Sequence, residues 1–127
     1  PLIRIPAAGG EGTRIELRSP DPAANPYLAL AVCLGAGLEG IEQKLMPPAS
    51  VDCNIFEMSQ EEKENLKIEE IPGTLLEAIE ALEQDPLMKE ILGEHVYHKY
   101  MEAKKEEWQS YRSQVTEWEI VRYLNRY

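Results

Sequence analysis

Cysteine is nearly missing from these 127 residues; Cys33 and Cys53 are the whole supply. Two thiols cannot build a disulfide framework, so a reduced, cytoplasmic protein is expected. Cys33 sits in apolar sequence and reads as a small core residue, whereas Cys53 falls in a loop rich in proline, aspartate and asparagine. Basic residues are scarce too, 13 against 23 acidic ones, for a formal net charge of −10. Such a chain repels phosphate backbones, which argues against a nucleic-acid partner, although a few local arginines can still serve a small phosphate ligand. Long apolar runs are absent. The longest, residues 27–34, is far short of the roughly 20 residues that span a bilayer, so no membrane segment is expected, and nothing at the start has a signal-peptide pattern. Neither a repeat nor a low-complexity tract is present. Strand-like sequence is thin as well. It is confined to the first 25 residues, and a lone strand cannot form a sheet. Together with an opening on PLIRIP and no Met, this leads us to expect a piece of a longer chain whose sheet partners lie elsewhere.

What is present is mostly helix. Residues 13–18 alternate polar and apolar side chains, the strand period, with Ile15 and Leu17 on one face and Arg14, Glu16 and Arg18 on the other. The sequence SPDP ends that strand. Asn25 and Pro26 then form a helix start, and the helix is expected to run to about Leu45. Its first half is apolar all round and should be buried. Gly35, Gly37 and Gly40 lower its helix propensity, which suggests close approach of another backbone. Ser59 with Glu62, Thr74 with Glu77 and Thr116 with Glu119 read as three capping boxes. Leu75, Ile79 and Leu82 share a face of the second of these helices. Asp85 and Pro86 open a further helix that Gly93 should stop, and residues 94–113 follow as a long amphipathic helix with Tyr97, Met101, Trp108 and Tyr111 on one stripe. The last helix is expected to reach Tyr127. The expected fold class is a mainly α-helical α+β fragment of about six helices with one or two strands. Residues 1–22 would form a loop and strand bearing the chemistry, and residues 23–127 a helical region.

The strand carries that chemistry. Side chains two apart on one strand face stand about 6.6 Å from each other, so Arg14, Glu16 and Arg18 form a row of cation, anion, cation. A carboxylate is a hard oxygen ligand suited to Mg²⁺ or Mn²⁺, and guanidinium groups grip phosphate or carboxylate through two hydrogen bonds. Carboxylate-held metal plus arginine is what phosphoryl transfer needs. Taken alone, the row is more simply read as a solvated strand face whose charges pair with neighbouring strands. His95 and His98 are three apart, a spacing that can hold a metal, but no third ligand is evident and exposed histidines are the simpler reading. The acidic run from Glu57 to Glu70 reads as a solvated face.

The wording RIELRSPDPAANPYLALAVCLGAGLEGI, residues 14–41, resembles the C-terminal signature of type I glutamine synthetase. The likeness continues through VDCNIFEM, LGEH and the EW…WE pattern, and so covers essentially the whole chain. It implies the C-terminal part of a catalytic domain that makes glutamine from glutamate, ammonia and ATP through a γ-glutamyl phosphate, with Mg²⁺ or Mn²⁺. Carried onto this chain, Glu16 would be a metal ligand. Arg18 would bind glutamate and the phosphoryl group in transfer, and Arg14 and Arg4 would contact ATP phosphates. The resemblance also implies a two-ring dodecamer in which the last residues reach a neighbouring subunit. Two departures stand out. The loop Gly9, Gly10, Glu11, Gly12 has no basic residue where the family usually has one near the nucleotide, and Phe56 replaces a tyrosine that one branch adenylylates. Phenylalanine has no hydroxyl to modify.

Two alternatives stay open from the sequence. The isolated segment could be a helical packing or regulatory module acting through Trp108, Trp118 and Tyr127. It could also belong to a relative that ligates glutamate to a different amine.

Overall fold

The computed structural model describes residues 2–7, 9–51, 53–124 and 126. A two-stranded antiparallel hairpin and a helical body are its parts. Strand β1 (Ile3–Arg4) pairs with β2 (Glu16–Leu17), with Ile3 opposite Leu17 and Arg4 opposite Glu16. The Arg18 amide extends the pairing by donating to the Leu2 carbonyl at 2.9 Å. The expected lone strand therefore has a partner within the chain, the IRIP segment, and β2 is shorter than the alternating stretch 13–18 that announced it. A short 3-10 turn over Gly10–Gly12 joins the two arms. Gly10 stands at φ +64°, a left-handed conformation that glycine adopts without a Cβ clash.

Five α-helices follow: α1 (Pro26–Glu42), α2 (Gln60–Asn65), α3 (Leu75–Gln84), α4 (Pro86–Arg112) and α5 (Glu117–Tyr123). Their starts are where side-chain chemistry placed them. Asn25 accepts from the Tyr27 and Leu28 amides at 3.0 and 3.3 Å, and Asp85 accepts from the Leu87 amide at 3.0 Å. Ser59/Glu62 and Thr116/Glu119 are full capping boxes. Thr74 is only half of one. It accepts from the Glu77 amide, but Glu77 reaches past it to the Gly73 amide at 2.8 Å.

The count of about six helices is corrected at Gly93. This residue sits at φ 72°, ψ 155°, yet helix continues on both sides, so the segments expected as separate helices form one kinked element, α4. α1 stops at Glu42 rather than about Leu45, because Lys44 turns left-handed at φ 54° and Leu45 bonds back to Gly40. α5 ends at Tyr123 rather than at Tyr127: Leu124 is its C-cap and Arg126 is not helical, while residues 125 and 127 lie outside the described residues.

α4 is the organising element, since α1 and α3 both pack on it. The core is small: Ile79 from α3 with Tyr97 and Met101 from α4, flanked by Leu75, Leu82, Leu92 and Trp108. The two predicted stripes thus meet each other. Tyr111 is the exception. It is 66% exposed and rests against the Trp108 ring, with centroids 5.9 Å apart.

The expectation that α1 is buried all round does not hold. Leu28, Val32 and Gly35 turn toward α4, but Tyr27, Leu30, Leu34, Leu38 and Ile41 form a solvent-facing apolar stripe at three- and four-residue steps. Cys33 is exposed as well, not a core residue. The physical reason is that α1 packs chiefly on α4 through one side, and its other side is exposed among the described residues. The hairpin strands pack chiefly on each other rather than on α1.

Of the three glycines in α1, only Gly35 is closely approached, and by a side chain rather than a backbone. A Cβ there would lie 2.3 Å from Ile91 Cδ1 and 2.5 Å from Cγ1, while Gly37 and Gly40 have nothing within 4 Å. Gly35→Ala is expected to destabilise the α1–α4 contact by about 1–3 kcal/mol through overpacking. Gly37→Ala gains up to about 1 kcal/mol of helix propensity. Thermal unfolding followed by circular dichroism separates the two, and a rise in Tm for both would contradict the Gly35–Ile91 contact.

The two full capping boxes make a pH prediction. The Ser59 amide holds the Glu62 carboxyl below the ordinary carboxylate range, and the Thr116 amide does the same for Glu119. The folded-state values lie below the unfolded ones. Each cap's contribution is therefore fully present above the ordinary carboxylate value and is lost as pH falls through the folded one. The Ser59 and Thr116 amide chemical shifts are expected to titrate with midpoints below that of a free glutamate. Midpoints at or above the free value would sink the prediction.

Candidate active site

The hairpin sends its charged side chains to one face. Register puts Arg4 directly opposite Glu16, and the strand period places Arg14 and Arg18 on the same side two residues either way. All four residues picked from the sequence come together. Arg14 forks onto one carboxylate oxygen, with Nη2 at 2.8 Å and Nε at 3.1 Å from Glu16 Oε1. Arg4 Nη1 and Arg18 Nη2 share the other oxygen at 3.3 and 3.4 Å. Glu16 is the least exposed of the four, its side chain 26% accessible against 49–54% for the arginines. One carboxylate within three guanidiniums leaves the cluster at net +2 (three cations less one anion) on a chain whose total is −10.

Hydrogen bonding from Arg14, then from Arg18, with the nearby charge of Arg4, holds the Glu16 carboxyl below the usual carboxylate range. It stays ionised at neutral pH. The loop that lacks a basic residue is nevertheless met by one, as Arg14 Nη1 donates to the Gly12 carbonyl at 3.3 Å. Sequence alone did not reveal that contact, because it depends on the turn at Gly10–Gly12.

As a cation site the cluster is partial. Glu16 supplies a hard oxygen donor, but its two oxygens are engaged by guanidinium. Among the described residues no group of three or more His, Cys, Asp or Glu is placed to hold a metal. Glu16 therefore fits as one ligand of a set completed from elsewhere. The His95/His98 pair does not contribute: His98 Nε2 lies 2.8 Å from Glu94 Oε1, and Glu94 also pairs with Lys89 at 3.1 Å. A separate cavity of about 300 Å³ lies between α1, α3 and α4, lined by residues such as Leu28, Val32, Leu82, Met88 and Leu92. It is apolar, and none of the four charged residues lines it.

Comparison with known proteins gives the class first. Residues 1–123 match the glutamine synthetase catalytic domain, and the chain belongs to that family. Among its relatives is the glutamine synthetase of Thermus thermophilus, 56% identical over 126 residues, which cover 99% of this chain and 28% of that protein. The glutamine synthetase of Methanocaldococcus jannaschii is 51% identical over 97% of this chain and 27% of its own length. A solved structure described as apo GmaS without ligand superposes with a TM-score of 0.81 at 40% identity, covering 98% of this chain and 27% of that one. The chain thus spans a little over a quarter of the length of the curated relatives it matches.

Proposed function

We propose that this chain is the C-terminal part of a glutamine synthetase catalytic domain and forms one wall of its active site. The observation that carries the reading is the gathering of Arg4, Arg14 and Arg18 around Glu16 on one hairpin face, in a chain of this family. The reaction joins glutamate to ammonia at the expense of ATP. A γ-carboxylate oxygen attacks the terminal phosphorus and ADP leaves. Ammonia then attacks the acyl carbon, phosphate leaves, and the added nitrogen loses a proton.

Residues 1–22 carry the chemistry, and residues 23–127 are the helical region that follows. Arg18 binds substrate glutamate and neutralises the phosphoryl group in transfer. Arg14 and Arg4 hold the nucleotide phosphates through forked hydrogen bonds. Glu16 offers its carboxylate to a divalent cation. Mg²⁺ or Mn²⁺ bound there supplies Lewis-acid neutralisation of phosphate oxygens.

The remaining metal ligands, the adenine pocket and the ammonia site would come from the rest of a longer subunit. The uncovered apolar faces support this. On the hairpin, Ile3, Ile5, Ile15 and Leu17 are exposed opposite the charged cluster, and α1 carries its own apolar stripe. Such surfaces mark contact with further protein. The full protein is expected to be cytoplasmic and to assemble as a dodecamer, and no helix among the described residues is long and apolar enough to cross a membrane.

The deciding experiment is glutamate- and ammonium-dependent ATP hydrolysis with Mg²⁺ or Mn²⁺, on this chain and on the chain extended to the length of its relatives. Activity confined to the extended protein supports the shared-site reading. Inactivity in both would favour a non-catalytic packing module acting through groups such as the exposed Trp118; of the other two aromatics named for that role, Trp108 packs against the core and Tyr127 lies outside the described residues.

A further inference from the structure

The arginines read above as a phosphate seat are not vacant. Glu16 fills the space between them with a carboxylate that mimics two phosphate oxygens. One oxygen takes the Arg14 fork at 2.8 and 3.1 Å, and the other takes Arg4 and Arg18 at 3.3 and 3.4 Å. Every arginine of the seat is engaged by the same side chain. We infer that Glu16 is a built-in latch: it occupies the three-arginine seat and must leave it before a polyphosphate can enter.

This rests on the reading that Arg4, Arg14 and Arg18 receive phosphate oxygens. It adds how occupancy of that seat is controlled. A cation that takes the Glu16 carboxylate releases all three guanidiniums at once. An anion that takes the guanidiniums releases a hard oxygen ligand. Cation and polyphosphate binding are therefore coupled positively, and by linkage the coupling is equal in both directions.

Charge alone would also make Glu16 oppose an incoming anion, so the test must hold charge constant. Glu16→Asp keeps the carboxylate but shortens its reach by one methylene, which takes it out of hydrogen-bonding range of at least one arginine. The probe is inorganic tripolyphosphate, titrated calorimetrically into this chain in a chelator. Glu16→Asp is expected to bind it at least about fivefold tighter than the parent, within the usual range of coupling between sites, and Glu16→Gln tighter still. Equal affinity for Glu16→Asp and parent would overturn the latch while leaving the phosphate seat standing. No binding by any of the three, Glu16→Gln included, would overturn the seat and the latch together.

A second readout needs no anion. The Arg14 Nε–H resonance reports the fork directly. In the chain extended to the length of its relatives, where the remaining metal ligands would be present, it is expected to be shifted from the free-arginine position and to return toward it on adding MgCl₂, but not on adding NaCl to equal ionic strength. A parent signal already at the free position, or one indifferent to Mg²⁺, would overturn the proposal.

Discussion

Glu16→Gln in the full-length protein is expected to lower glutamine formation by about 100-fold or more. Glutamine is nearly isosteric with glutamate, so the hairpin register and the Arg4–residue 16 pairing across it are kept. What is lost is charge. A neutral amide is a poor ligand for a hard divalent cation, and the site would hold its metal weakly. The three guanidiniums also lose the anion that gathers them, leaving the cluster at +3 where it was +2 (three cations with no anion). Metal dependence should change with turnover: the Mg²⁺ or Mn²⁺ concentration giving half-maximal rate rises, while nucleotide phosphates still bind. A variant that keeps near-parental turnover and metal dependence would remove Glu16 from the centre of the reaction. A variant that loses turnover because the subunit misfolds would show an altered circular dichroism spectrum, which an isosteric change on an exposed hairpin face should not cause.

Three members of the charged cluster were legible in the sequence because they depend on one periodicity: two-residue alternation put Arg14, Glu16 and Arg18 on one face. Arg4 was named only through the family resemblance, since the pairing that sets it opposite Glu16 joins residues twelve apart and was not expected. Helix starts were legible for a similar reason, since the side chains of Asn25, Ser59, Asp85 and Thr116 accept from amides only two or three residues ahead. The errors all concern distance along the chain. Nothing local tells an all-apolar helix how many neighbours it has, so α1 was taken as buried when only its Leu28–Val32–Gly35 side meets α4. Cys33 followed the same error. Gly93 was taken as a helix end, since left-handed glycine usually is one, but helix resumes immediately beyond it. Tyr111 lay on the right stripe, yet beyond the reach of α3, whose ten residues cover only part of α4. The brace from Arg14 to Gly12 could not be read at all, because it needs the turn's three-dimensional path.

The helical body should be unusually sensitive to a single core truncation, and Ile79→Ala is the change that reveals it. Ile79 is 4% exposed and is the one buried residue of α3 among those described. It packs with Tyr97 and Met101, and that trio is the whole of the described buried core. Truncating a buried isoleucine to alanine removes about 2–5 kcal/mol, from lost transfer energy plus the cavity left behind. A domain of this size has a total stability of only about 5–15 kcal/mol. A chain with so small a core should lie at the low end of that range, so the loss approaches the whole. Leu30→Ala on the exposed stripe of α1 is the control, with an expected cost within about 0.5 kcal/mol in the isolated chain. Urea unfolding followed by helical circular dichroism makes the comparison. Ile79→Ala is expected to lose its cooperative transition or shift its midpoint sharply, and Leu30→Ala to keep both. Equal midpoints for the two would mean that α3 is not held by this trio. In a full-length subunit the control should reverse: if the α1 stripe is covered there, Leu30→Ala becomes costly, and the difference between the two contexts measures how much the rest of the subunit stabilises α1.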